Sequence, residues 1–85
     1  MDRYLVISPH TEADCKRAIV AIEAAGFITH FDWGCKGGEH CGWAIVEADS
    51  AKEAMLVVPS NSRQTARAVK LVKFSPAEVM AMHKP

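Results

Sequence analysis

Apolar positions along this chain change period several times, and each change marks an element. Residues Tyr4 to Ser8, Ile28 to Trp33, Gly42 to Glu47 and Ala66 to Phe74 alternate or cluster as β-strands do. Between the first two, Cys15, Ala18, Ile19, Ile22 and Ala25 recur at i, i+3, i+4 and i+7, the spacing of one buried helical face. Three helix starts carry the same signature, an oxygen-bearing cap followed three positions later by an acid. They are Thr11-Glu12-Ala13-Asp14, Ser50-Ala51-Lys52-Glu53 and Ser75-Pro76-Ala77-Glu78. The first helix is predicted to run to about Ala25 and stop at Gly26; the second runs from Ser50 to Val58, where Pro59 ends it. In the third, Pro76 occupies the first helical position, where its missing N–H costs nothing.

The predicted order is βαββαβ with a short terminal helix. That is a ferredoxin-like α+β arrangement: an antiparallel sheet with helices on one face, first and third strands central. Residues 1–85 make a single domain, and Pro59 to Gln64 is the only linker-like stretch. In the last strand Val69 and Leu71 point to one face, and Ala68, Val72 and Phe74 to the other. Both faces therefore look partly buried. Helices cover only one, so the open face is expected to meet a second subunit in a homodimer.

Composition narrows the partners. Ten Lys and Arg balance ten Asp and Glu, which disfavours nucleic acid and anionic membrane surfaces. No apolar run reaches the roughly 18 to 20 residues of a membrane span. Three cysteines are an odd number for a disulfide-stapled secreted domain, so a reducing cytoplasm is the expected setting.

The chemistry concentrates between two tryptophans, in Trp33-Gly34-Cys35-Lys36-Gly37-Gly38-Glu39-His40-Cys41-Gly42-Trp43. Right-handed crossovers bring this loop, His10 and the first helix start to one edge of the sheet. Cys35, His40 and Cys41, with His10 as fourth ligand, form a candidate site for zinc, copper or nickel. The spacing lacks paired Cys-x2-Cys knuckles, and adjacent His40 and Cys41 point apart if the strand has begun there. An anion site at the helix start would use His10, Thr11, Lys36 and Arg63; solvated turn charges are the plainer account. His30 and Asp32 alternate with Phe31 and Trp33, so they share a strand face as a candidate acid–base pair, or simply face water. Cys15, on the apolar stripe, reads as an inert buried thiol. Met80 and Met82 flank the amphipathic terminal helix.

In architecture the chain resembles the dimeric α+β barrel group of ferredoxin-like proteins, which includes muconolactone isomerase-like and antibiotic-biosynthesis monooxygenase-like members, stress-responsive barrels and small nickel-binding proteins. More locally, Phe31-Asp32-Trp33-Gly34-Cys35, His40 and Gly42-Trp43-Ala44-Ile45-Val46-Glu47-Ala48 resemble an uncharacterised set of small bacterial domains. The resemblance implies a homodimer with a pocket at the sheet face, and no reaction. Three readings stand: a module binding a small ligand or metal near His10, Cys35, His40 and Cys41; a cofactor-free isomerase or monooxygenase-like enzyme using His30 and Asp32; and a structural or interaction protein.

Overall fold

A computed structural model describes residues 1–83. It is an α+β fold in which four strands form one antiparallel sheet: β1 (Asp2–Pro9), β2 (Phe31–Trp33), β3 (Cys41–Ala48) and β4 (Arg67–Leu71). Three helices accompany them, α1 (Cys15–Ala24), α2 (Ala51–Ala54) and α3 (Pro76–Met82). Strand order is β2-β3-β1-β4, so β1 and β3 lie in the centre and their ladder pairs all eight residues of each. No helix among the described residues is long and apolar enough to cross a membrane.

The caps act locally as their chemistry dictates. Ser50 and Ser75 hydroxyls accept the Glu53 and Glu78 N–H groups at 3.1 Å each. The Thr11 hydroxyl accepts the Asp14 N–H at 3.2 Å, but residues 12–14 form a turn and the α-helix starts only at Cys15. It ends as expected, with the Phe27 N–H reaching back to the Ile22 carbonyl and the Gly26 N–H to Glu23. Helix α2 is shorter than predicted, because Met55–Val57 tightens into a 3-10 turn ahead of Pro59.

Two strands also differ from the sequence expectation. Strand β2 begins at Phe31, not Ile28, since Ile28–His30 forms a 3-10 turn that drops Ile28 against the core. Strand β4 stops at Leu71, which already faces Arg3 near the start of β1, so the partner strand is almost exhausted. Val72 and Phe74 therefore lie beyond the sheet and are exposed, not on the face opposite Val69 and Leu71.

Register fixes which residues make the core. Tyr4, Val6 and Ser8 of β1 are buried, and across from them stand Val46, Ala44 and Gly42. Phe31, Ile22, Ala54 and Val58 complete this layer under the helices. Burying Ile22 and Phe31 contributes about 1.5–3 kcal/mol each. The opposite face carries Leu5, Ile7, Trp43, Ile45, Val69 and Leu71, with Ile45 57% exposed and Val69 37%. Helix α3 is exposed along its whole length.

Candidate metal centre

Beyond Pro9 and Cys41 the central ladder continues for one more bond, from the His10 N–H to the His40 carbonyl at 3.0 Å. Strand alternation then sets both imidazoles on the helix side of the sheet, with Ser8 and Gly42. Their ring centroids lie 5.9 Å apart. The turn before α1 brings Cys15 to the same edge, and a 3-10 turn at Cys35–Gly37 brings Cys35. His10, Cys15, Cys35 and His40 each offer one ligand atom, and these four atoms lie within 4.8 Å of one another. All four residues are half-buried.

Loop shape depends on two glycines. Gly38 sits at φ 90°, a conformation side chains rarely adopt. At Gly34 a Cβ would lie 2.7 Å from the Glu39 carbonyl oxygen and 2.9 Å from the Trp43 ring. The loop can therefore fold back so that the Gly34 N–H donates to the Cys41 carbonyl and the Glu39 N–H to the Gly34 carbonyl, both at 3.0 Å.

Within the cluster the His10 Nε2 lies 3.2 Å from the Cys35 Sγ. The Nδ1 atoms of His10 and His40 are both buried, and among the described residues neither has a hydrogen-bond partner. An unpaired buried nitrogen costs about 1–3 kcal/mol, so two in one cluster call for a ligand. The hydrogen bond to Cys35 raises the Cys15 thiol above its ordinary pKa, helped by burial and by the charges of Cys35 and Glu12. Trp33 walls one side, its ring centroid 6.0 Å from that of His10.

Thiolate and imidazole are the donors zinc prefers, and four of them match its tetrahedral structural sites. Zinc–sulfur bonds of about 2.3 Å and zinc–nitrogen bonds of about 2.0–2.1 Å imply ligand separations of roughly 3.3–3.8 Å. The four ligand atoms here lie within 4.8 Å of one another, at most about 1 Å beyond that range. The cluster could hold a metal ion.

Cys41 does not belong to it. Alternation turns Cys41 to the face opposite His40, where it is 5% exposed and its thiol donates to the Gly42 carbonyl at 3.6 Å. Burial pushes its pKa up, opposed by a backbone hydrogen bond at Ser8. Its place is taken by Cys15, which is half-buried and stands at the N-terminal end of the apolar stripe, where the stripe reaches the site. One sequence signal could have found it: four residues separate His10 from Cys15, and four separate Cys35 from His40. The ligand order is a mirrored His-x4-Cys and Cys-x4-His.

The anion candidates are not brought together. Arg63 donates its Nε to the Val58 carbonyl at 2.7 Å, Lys36 is exposed, and the Thr11 hydroxyl donates to the Asp14 carboxylate at 3.1 Å. A groove of about 410 Å³ beside the site is lined by His10, Thr11, Asp14, Arg17 and Ser62, with neither Lys36 nor Arg63. An acid at the helix start also opposes an anion there. His30 is exposed on its 3-10 turn, edge-on to Phe27 at 5.7 Å, and so does not share a strand face with Asp32. Asp32 is exposed on the open face of the sheet.

No protein-family model, curated protein or solved structure matches the chain. What defines it is therefore its own geometry: a small α+β domain with a His2Cys2 cluster at one sheet edge.

Proposed function

We propose that this protein is a metal-holding module that binds one borderline-soft transition ion, zinc foremost, through His10, Cys15, Cys35 and His40. The observation that carries the reading is the convergence of four soft donors from two chain segments, residues 10–15 and 35–40, in a cluster where the His10 and His40 Nδ1 atoms are buried and partnerless among the described residues. Hard ions such as magnesium and calcium take oxygen ligands and are disfavoured; copper and nickel share the donor preference and are the competitors. Four protein ligands leave no open position, which favours a structural, storage or sensing role over metal-assisted hydrolysis. The test is elemental analysis of reduced, untagged protein beside Cys35→Ser and Cys41→Ser variants. One ion per chain, lost in Cys35→Ser and kept in Cys41→Ser, supports the reading; failure of the reduced protein to take up zinc, copper or nickel anaerobically sinks it.

We further infer that the arrangement is ferredoxin-like and that the open sheet face pairs with a second copy of the chain. Support comes from the charges on that face. Its rows run Glu47–Arg3–Leu71, Ile45–Leu5–Val69 and Asp32–Trp43–Ile7–Arg67. A two-fold axis parallel to the strands, between β1 and β3, exchanges β3 with β1 and β2 with β4. It would set Glu47 over the other copy's Arg3, Asp32 over its Arg67, Ile45 over its Leu5 and Trp43 over its Ile7. Stacked sheets keep their strands within about 30° of alignment, as such an axis requires.

A further inference from the structure

The metal reading uses Cys15 and Cys35 only as ligands, yet their chemistry extends further. The two sulfurs lie within 4.8 Å of each other on separate elements, the start of α1 and the turn between β2 and β3. Cys35 also has the His10 Nε2 at 3.2 Å from its sulfur, within hydrogen-bonding reach. Both cysteines are half-buried, whereas Cys41 is buried and faces away.

We propose that Cys35 is a site of oxidation by hydroperoxides, with Cys15 as the resolving thiol, and that the product is a reversible Cys15–Cys35 disulfide. The Cys35 sulfur attacks the terminal oxygen of the hydroperoxide. An S–O bond forms and the O–O bond breaks, and the thiol proton passes to the departing alkoxide or hydroxide. The products are a sulfenic acid at Cys35 and an alcohol or water. The Cys15 sulfur then attacks the Cys35 sulfur, forming the S–S bond and breaking S–O, and water leaves with the Cys15 proton. In sum, two thiols and one hydroperoxide give one disulfide, one alcohol or water, and one further water. The sulfurs lose two electrons and the peroxide gains them.

Geometry assigns the order of attack. Cys35 is the cysteine in contact with an imidazole, and Cys15 is the sulfur placed to intercept its oxidised form before a second peroxide does. A disulfide also occupies two of the four metal donors, so oxidation and metal binding compete for the same atoms. The inference rests on the four-residue cluster and not on a metal being bound. Its test is therefore run first on metal-free protein.

Metal-free protein is treated with one equivalent of hydrogen peroxide and digested under non-reducing conditions for peptide mass spectrometry. The expected result is a Cys15–Cys35 cross-link, lighter by two hydrogens and reversed by dithiothreitol, with Cys41 still a thiol. Cys15→Ser is expected to leave a sulfenic acid at Cys35 that dimedone traps. His10→Gln should slow formation of the cross-link without changing which residues it joins. Sulfinic acid at Cys35 with no cross-link, or preferential oxidation of Cys41, overturns the proposal. Zinc-loaded protein, followed with a chromophoric chelator, should release its ion in step with the cross-link. A chain that binds zinc but forms no cross-link when metal-free sinks this inference and leaves the metal reading standing; a chain that cross-links but never binds zinc does the reverse.

Discussion

His10 and His40 face each other across the central ladder, joined by a backbone hydrogen bond of 3.0 Å, with their rings 5.9 Å apart. That register decides the composition of the site. A ladder that aligns residue 10 with residue 40 sends Cys41 to the other face, and the sulfurs of the cluster come from elsewhere. They come from the two chain segments that turn over the same edge, at Cys15 and Cys35.

Substituting the four donors one at a time should therefore separate them from Cys41. Cys15→Ser, Cys35→Ser, His10→Ala and His40→Ala are each expected to weaken zinc binding by more than the roughly 10- to 100-fold typical of losing a ligand's supporting partner. Cys41→Ser should leave affinity unchanged. Competition titration with a chromophoric chelator measures all five. A loss at Cys41 equal to that at Cys15 would show that the register argument is wrong.

Metal should also tie α1 to the sheet. Ile22 is the only fully buried residue of that helix, so its N-terminal half has little apolar anchorage of its own. Zinc at about 1,000 times its dissociation constant adds roughly 4 kcal/mol to folding stability. Chelation is expected to lower Tm and to raise amide exchange most in Cys15–Ala24, with the β1–β3 ladder least affected. Uniform deprotection across the chain would argue against a local clamp.

How much of this was legible in the sequence depended on whether the signal was local. All three cap motifs form the hydrogen bonds their chemistry implies, because Thr11, Ser50 and Ser75 act within four residues. Strand ends were less legible, since β4 stops where β1 runs out and β2 yields to a turn that seats Ile28. His10, Cys35 and His40 were readable from the loop and the topology. Cys15 was not, because its place on an apolar stripe concealed that the stripe ends at the site. Cys41 is set apart from His40 only once the strand is known to reach them, and the sequence alone does not fix where β3 begins.

The loop that delivers Cys35 should be intolerant at one glycine and tolerant at another. A Gly34→Ala Cβ would meet backbone oxygen of Glu39 and the Trp43 ring, neither of which can yield without moving the loop. The expected cost is about 1–3 kcal/mol, with a changed near-UV tryptophan signal and weaker zinc binding. Gly37→Ala meets nothing within 4 Å and should be nearly neutral. Urea denaturation of the two variants measures the contrast, and equal costs would refute this account of the loop.

The open face offers a test in which the chain's own contacts do not interfere. Asp32 and Arg67 stand at opposite edges of the same row, on β2 and β4. Three strand spacings separate them, about 14 Å, too far for contact within one chain. In the two-fold arrangement each Asp32 lies over the other copy's Arg67. Asp32→Arg and Arg67→Glu alone would then each set like charges together twice per dimer. At roughly 0.5–1 kcal/mol for an exposed pair, each should weaken association about tenfold. The double variant restores opposite charges and should restore the dimer. Light scattering and sedimentation equilibrium over a concentration series read the outcome, with Ile45→Lys as a variant expected to give monomers. Wild-type protein that stays monomeric at high concentration rejects the pairing outright. A dimer that Ile45→Lys disrupts but that ignores both charge reversals places the interface on this face under a different symmetry.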